Sequence, residues 1–169
     1  MNYFDLFGIP ETFVPDPKLV KKKYYELSRL YHPDFYSQAT PEEQAEILEK
    51  SSQINQAYKI LLDPDETIRY ILMQKGLMEG EEKYQLSKEF LIEMMDLNEQ
   101  FMEAGVAGDQ DKLREIKIQI SNLQKEIYEP VKEIIENTPE SLFSEKGLLQ
   151  IKEYYYQKKY LNRILAGEE

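Results

Sequence analysis

Helix-starting signals recur along the first half of this 169-residue chain and restrict it to a series of short, consecutive helices. Asp16-Pro17, Thr40-Pro41 and Asp63-Pro64 each place a capping side chain directly before a proline at the first helical position. Glu43 stands three residues after Thr40, which predicts a capping box. Because proline disfavours the helical conformation in the residue before it, Asp63-Pro64 also ends the preceding helix. No strand pattern is evident, and we predict an all-α fold.

The first of these segments, residues 17–31, has two different faces. Its apolar residues recur at helical spacing and predict a buried stripe of Val20, Tyr24, Leu27 and Tyr31. Its basic residues lie on other faces and are Lys18, Lys21, Lys22, Lys23 and Arg29. A charge run is usually only a solvated face. In a chain of formal net charge −11, however, a positive face runs against the trend and would steer an acidic partner surface.

The triplet His32-Pro33-Asp34 comes directly after this helix and predicts a short polar loop. His32 is the only histidine, and no orienting partner or substrate pocket for a general base can be assigned to it from the sequence. Two interpretations are stronger, namely a surface histidine that ends a helix and a contact loop. In a contact loop the imidazole offers a donor, Pro33 stiffens the backbone and Asp34 offers a carboxylate to a partner arginine.

Composition excludes several classes of function. The chain has no cysteine, which rules out disulfides and cysteine-ligated zinc, haem or iron–sulfur sites. The net negative charge disfavours nucleic-acid binding. The sequence contains no run of about 18 apolar residues, so we predict no membrane span. The acidic start lacks the positive region of a signal peptide. We expect a cytoplasmic protein without cofactor, metal site or catalytic residue, although composition leaves a carboxylate-only magnesium or calcium site open.

The second half of the chain predicts a small helical bundle. Residues 77–86 are short, acidic and contain Gly80, and we interpret them as a linker between residues 1–76 and 87–169. Ser87 caps a first helix that ends near Gly105 or Gly108, and Asp109 opens a second, in which Pro130 predicts a kink or break. Thr138-Pro139 opens a third helix, and three amphipathic helices with short loops predict a bundle.

The first helix of this bundle is apolar on two faces. Phe90, Met94, Leu97 and Phe101 form one stripe, which is enough to pack a bundle. The second stripe consists of Leu91, Met95 and Met102, and beside it run Ile92, Asp96, Glu99 and Glu103. Such a helix is either deeply packed or binds a partner, and methionine suits adaptable contacts.

Several segments together, in this order and at these separations, resemble a J domain. The resemblance rests on Tyr3-Phe4-Asp5-Leu6-Phe7-Gly8, Tyr31-His32-Pro33-Asp34, Ile54-Asn55-Gln56-Ala57-Tyr58, Leu61-Leu62 and Arg69-Tyr70. It implies a four-helix unit whose second and third helices form an antiparallel hairpin with the His-Pro-Asp loop at its tip. It also implies that this unit docks on a DnaK-type chaperone and stimulates its ATPase. The implied chaperone-binding residues are His32, Pro33, Asp34, Lys18, Lys21, Lys22 and Arg29. The tripeptide is usually followed by lysine, but Phe35 stands in that position here.

The second half of the chain narrows this resemblance. It contains no Gly/Phe-rich linker, cysteine-rich segment or β-rich client domain, and the chain resembles the HscB / Jac1 family of co-chaperones in iron–sulfur cluster assembly, which has mitochondrial members. That resemblance implies two partners, an HscA-type chaperone and an IscU-like scaffold protein, and no enzymatic activity. The implied scaffold-binding residues are Leu91, Ile92, Met95, Asp96, Glu99, Glu103 and Tyr160.

Two alternatives stay open from the sequence. The bundle could bind a different client while the J domain keeps its function. The chain could instead be an enzyme with a carboxylate-held metal in the bundle core, but such sites use Glu-x-x-His pairs, and His32 lies in the other half of the chain.

Overall fold

The computed structural model describes residues 2–80 and 82–167, and it confirms the all-α prediction. These residues form eight α-helices and three short 3-10 helices, without a β-strand in the described ranges. They divide into two units, Met1–Ile71 and Leu72–Glu169. The α-helices are α1 Tyr3–Phe7, α2 Pro17–Leu30, α3 Pro41–Leu62, α4 Pro64–Gln74, α5 Lys88–Ala107, α6 Gln110–Tyr128, α7 Lys132–Asn137 and α8 Glu145–Leu165.

The predicted caps begin the helices of the first unit. The Asp16 side chain accepts the Lys18 amide, and Thr40 and Glu43 form both hydrogen bonds of the capping box. The Asp63 side chain accepts two backbone amides of the first turn of α4, at 3.0 and 3.2 Å. Each cap satisfies amides that the first turn of a helix leaves without a partner.

Helices α2 and α3 form an antiparallel hairpin, as the J-domain resemblance implied. Tyr24 lies against Tyr58, with the rings stacked at 3.9 Å between centroids, and the Lys50 ammonium lies 5.4 Å from the Tyr31 ring centroid. Later residues of α2 therefore meet earlier residues of α3. Val20 is fully buried between the elements, and the remaining members of its stripe are half-buried.

The aromatic opening forms a short helix, α1, which the cap and periodicity patterns did not predict, although the four-helix resemblance implied a helix before the hairpin. The Asn2 side chain caps it by accepting the Asp5 amide at 2.8 Å, and Gly8 ends it with a left-handed φ of 65°. Tyr3 stacks on Tyr70 at 4.6 Å between centroids. The buried core of this unit includes Phe4, Phe7, Phe13, Val20, Ile54, Ala57, Leu61, Ile68 and Ile71.

In the second unit, α5, α6 and α8 form the predicted three-helix bundle. Ser87 and Asp109 cap α5 and α6, and Gly108 ends α5 with a φ of 67°. The predicted break at Pro130 is present, because α6 stops at Tyr128 and a 3-10 helix, Glu129–Val131, leads into α7. The buried bundle core consists of Met94, Leu97, Ala104, Ile116, Ile120, Leu161 and Ile164.

The predicted start of the last helix at Thr138-Pro139 is wrong. Pro139 precedes a 3-10 helix, Glu140–Leu142, and α8 begins only at Glu145. The Thr138 hydroxyl donates to the carbonyl of Glu133, in the first turn of α7, at 3.2 Å. The Ser144 hydroxyl supplies the cap instead, accepting the Gly147 amide at 3.0 Å. Two competing cap sequences lie close together, and the later one starts the helix.

Candidate functional site

The tripeptide loop is exposed and has a defined local geometry. His32 and Asp34 side chains are 53% and 87% exposed. His32 precedes a 3-10 helix, Pro33–Tyr36, and its Nδ1 accepts the Asp34 amide at 3.2 Å. Because Nδ1 accepts, the neutral imidazole carries its proton on Nε2 and can donate from there. The loop therefore offers a partner one donor and one carboxylate, separated by a proline.

Hydrogen bonds hold the loop to both helices of the hairpin. The Tyr36 hydroxyl donates to the Leu30 carbonyl of α2 at 2.6 Å. From α3, the Gln44 side-chain amide donates to the Tyr36 and Ser37 carbonyls, each at 3.1 Å. These contacts limit the loop's freedom before any partner binds, which lowers the entropy lost on binding.

The basic residues predicted to dock a chaperone lie on α2, the helix that leads into the loop. Arg29 lines a groove with His32 and Asp34, so one cation stands directly beside the tripeptide. The structure therefore brings Arg29 together with the loop, whereas the three lysines lie nearer the start of α2, away from the loop. All four predicted cations are exposed, namely Lys18, Lys21, Lys22 and Arg29.

Helix α5 separates its two apolar stripes clearly. The first packs the bundle, since Met94 and Leu97 are 1% and 3% exposed. The second faces outward through Met95 and Met102, which are 62% and 42% exposed, whereas its first member, Leu91, is half-buried. Ile92, beside this stripe, is 61% exposed. The carboxylates predicted beside it are also exposed, and they belong to Asp96, Glu99 and Glu103.

A groove runs along the exposed face of α5, and among the residues that the structure describes its lining includes three carboxylates and no basic side chain. It brings together four of the predicted scaffold-binding residues, Met95, Asp96, Glu99 and Glu103. Four further lining residues were not predicted as scaffold-binding, although one of them, Met102, belongs to the second apolar stripe. The other three are Asn98, Val106 and Ala107. The signal for Val106 and Ala107 was weak, because glycines near the end of α5 left its length open.

The other predicted scaffold-binding residues lie outside this groove. Leu91 is half-buried at the start of α5, and Ile92 is exposed one position further on. Tyr160 packs against the bundle core and meets Phe90 in an edge-to-face contact at 6.3 Å between ring centroids. Tyr160 is thus half-buried and belongs at least partly to the packing of α5 against α8.

Neither surface resembles a metal centre. Within residues 2–80 and 82–167, no group of at least three histidine, cysteine, aspartate or glutamate side chains is arranged to hold a metal ion. In the same part of the chain, none of the helices combines the length and the apolar character that a bilayer crossing requires.

Comparison with known proteins relates both units to one family. Residues 2–70 match the DnaJ domain family, and residues 86–167 match the HSCB C-terminal oligomerisation domain family. The co-chaperone protein HscB homologue of Vibrio vulnificus strain YJ016 is 33% identical over 128 residues, which cover 75% of each chain. The homologue of Colwellia psychrerythraea is 36% identical over 112 residues, or 66% of this chain and 64% of that protein.

Solved structures show the same architecture. The crystal structure of human co-chaperone protein HscB matches with a TM-score of 0.78 and 30% identity, over 98% of this chain and 79% of that one. The fold is also shared with the chaperone HscB from Vibrio cholerae, with a TM-score of 0.81, 23% identity and coverage of 98% and 94%. The chain belongs to the HscB family of J-domain co-chaperones.

Proposed function

We propose that this co-chaperone delivers an IscU-like scaffold protein to an HscA-type chaperone and stimulates the chaperone's ATPase during iron–sulfur cluster assembly. The family is one of co-chaperones rather than catalytic enzymes, and its J domain implies an Hsp70-type partner. One observation carries the finer proposal. A single chain exposes a braced His-Pro-Asp loop in one unit and an apolar, acid-rimmed helix face in the other.

At the chaperone end, the basic face and the loop have different tasks. Lys18, Lys21, Lys22 and Arg29 raise the rate of encounter with an acidic chaperone surface. His32, Pro33 and Asp34 then make short-range contacts that are stronger in the hydrolysing state of the chaperone. Only such differential contacts can shift the chaperone between states.

At the client end, the exposed face of α5 binds the scaffold. Leu91, Ile92 and Met95 supply apolar contact area, and methionine adapts to irregular partner surfaces. The carboxylates of Asp96, Glu99 and Glu103 set orientation and select a scaffold surface with basic residues around an apolar centre. Tyr160 contributes at the edge through the part of its ring that the bundle leaves accessible.

Joining the two ends in one chain raises the concentration of client beside the chaperone. Once the J domain is docked, the bound scaffold meets the chaperone in an intramolecular step. We assign the chaperone function to residues 1–76, the connection to 77–86 and the scaffold function to 87–169, in the bacterial cytoplasm.

The proposal is tested by measuring ATP hydrolysis by an HscA-type chaperone with this protein, with and without an IscU-like scaffold. We expect stimulation by the wild type, a further increase with scaffold, and a fall to near the basal rate with His32→Gln. The exposed imidazole donates to the chaperone in this account, and glutamine cannot reproduce its geometry.

Calorimetric titration of His32→Gln with scaffold is the control, and it should give the wild-type affinity. Persistent stimulation by His32→Gln would contradict the role of the loop. Stimulation without any scaffold binding would favour the rival function, a J-domain co-chaperone whose bundle binds a different client.

A further inference from the structure

The surface beside the tripeptide is more apolar than electrostatic docking requires. Phe35, directly after Asp34, is 71% exposed, and Tyr25 on α2 is 57% exposed. Leaving large apolar side chains in water forfeits the free energy that burial would supply. Lysine usually follows the tripeptide in J domains, so a phenylalanine here exchanges a charge for an aromatic ring.

The two rings stand in one groove with the polar contact groups. This groove, of about 270 Å³, is lined by Tyr25, Ser28, Arg29, His32, Asp34 and Phe35. The aromatic rings supply its apolar walls, whereas the guanidinium, imidazole and carboxylate supply charge and hydrogen bonds. An apolar centre enclosed by polar groups that exclude water is the arrangement of a binding hot spot.

Both rings are held in place before binding. The Phe35 ring packs against the His32 ring edge-to-face, at 5.8 Å between centroids, and its amide donates to the His32 carbonyl at 3.0 Å. Tyr25 packs against Tyr24 at 5.6 Å, and Tyr24 is stacked on Tyr58 of α3. A partner side chain would therefore enter a formed groove at little entropic cost.

We propose that Tyr25 and Phe35 receive an apolar side chain of the Hsp70-type chaperone, and that this contact is a specificity determinant of docking. The proposal rests on chaperone docking at the tripeptide, which occupies the same groove. The apolar side chain lies between the rings, while Asp34 and Arg29 meet charged groups around it. A chaperone suited to lysine at position 35 would place a polar or acidic group there and bind this protein more weakly.

The test is a titration of chaperone ATPase activity with the full-length wild type and with Phe35→Ala, Phe35→Leu and Phe35→Lys. Phe35→Ala should raise the half-maximal concentration roughly fivefold to thirtyfold, the range expected for a hot-spot residue. Phe35→Leu should restore most of the affinity, because it keeps apolar area. The maximal stimulation should stay unchanged, since the tripeptide is intact.

Leu48→Ala is the matched control, because Leu48 is also apolar, is 62% exposed and lies on α3. It should leave the half-maximal concentration within about twofold of the wild type. Salt provides a second readout. Sodium chloride should weaken the wild type and Phe35→Ala by the same factor, whereas Phe35→Lys should gain salt dependence from its added charge.

The outcomes separate this inference from the proposed function. If the wild type stimulates the chaperone and Phe35→Ala has the same half-maximal concentration, the proposed apolar contact is wrong while the proposed function stands. If Leu48→Ala raises the half-maximal concentration as much as Phe35→Ala does, the effect is not specific to the groove and the proposed contact is wrong. Absence of wild-type stimulation, or full stimulation by His32→Gln, would overturn the proposed function and this inference with it.

Discussion

Individual side chains attach the segment that precedes α5, from Glu82 onward, to helix α8 of the bundle. Glu82 pairs with Lys152 of α8 at 3.1 Å, with side chains 19% and 14% exposed, and also accepts the Tyr156 hydroxyl at 2.7 Å. Burial acts to raise the pKa of the Glu82 carboxyl, but these hydrogen bonds and the Lys152 charge outweigh it, so the pKa is lowered. Tyr84 adds a stacked contact with Tyr156, at 4.5 Å between centroids. Sequence reasoning predicted a linker here and could not foresee its docking, because the partner residues lie about seventy positions further along the chain.

At residue scale, Tyr84 makes the stability of the bundle depend on pH in the alkaline range. Burial raises the pKa of its hydroxyl, as does the hydrogen bond it donates to Glu153, to about 12 from the ordinary 10.0. A group whose pKa is higher in the folded state stabilises that state below its unfolded pKa. This stabilisation is therefore complete below pH 10 and is lost as pH rises from 10 to 12.

We predict that Tyr84→Phe lowers the free energy of unfolding at pH 8 by about 1 kcal/mol, the usual net value of one hydrogen bond. The difference from the wild type should shrink as pH rises from 10 to 12. Urea unfolding followed by circular dichroism at several pH values measures both. A difference that stays constant over that interval would show that the Tyr84 proton does not carry the effect.

At the scale of helices, cap signals succeeded where one capping sequence acted alone. Asp16, Thr40, Ser87 and Asp109 begin their helices as predicted, because each cap depends only on the next three residues. The prediction failed at α8, where a second cap, Ser144, lies shortly after the first candidate. It also missed α1, which has only five residues. So short a helix depends on packing that local pattern does not reveal.

Periodicity alone could not decide which stripe of α5 is buried. Both stripes have helical spacing, and burial depends on where α6 and α8 pack. The structure buries Met94 and exposes Met95, which resolves the ambiguity in favour of an accessible second face. That face also extends to Val106, further than the resemblance implied.

At the scale of helices, we predict that the exposed face of α5 determines the affinity for the scaffold. Leu91→Ala combined with Met95→Ala should weaken scaffold binding roughly tenfold to hundredfold, since each truncation removes apolar contact area. Isothermal titration of the full-length protein with an IscU-like scaffold measures the change. Met102→Ala in the same titration tests whether the contact continues along the groove toward the end of α5.

Ile118→Ala is the matched control, because Ile118 is 63% exposed on α6 and lies outside the proposed face. It should leave the affinity unaltered. If the Leu91 and Met95 double variant also binds like the wild type, the scaffold-binding site is assigned to the wrong residues.

Across the whole molecule, charge is distributed unevenly between the two functions. Residues 1–76 carry 9 basic and 12 acidic side chains, whereas residues 77–169 carry 12 and 20. Under the proposed function, the cations concentrated on α2 would favour an acidic chaperone surface, and the carboxylates along α5 would favour a basic scaffold surface. Each proposed docking surface would then repel the other's partner, which would support specificity through unfavourable as well as favourable contacts. Composition made this asymmetry visible, although only the fold assigns it to exposed faces.

The adaptor architecture makes a prediction that neither unit makes alone. His32→Gln should still bind the scaffold but should not trigger the chaperone. With scaffold limiting, a tenfold excess of His32→Gln over the wild type should reduce scaffold-dependent ATPase stimulation by roughly tenfold, because most scaffold is then held by molecules that cannot trigger hydrolysis. The measurement is steady-state ATP hydrolysis at fixed wild-type and scaffold concentrations. Adding Leu91→Ala and Met95→Ala to the His32→Gln chain supplies the control, since this variant keeps the same J domain but releases the scaffold. It should not interfere. Equal interference by both variants would mean that the excess chain competes for the chaperone instead of holding the scaffold. No interference by His32→Gln would mean that the molecule holding the scaffold need not be the one that stimulates the chaperone.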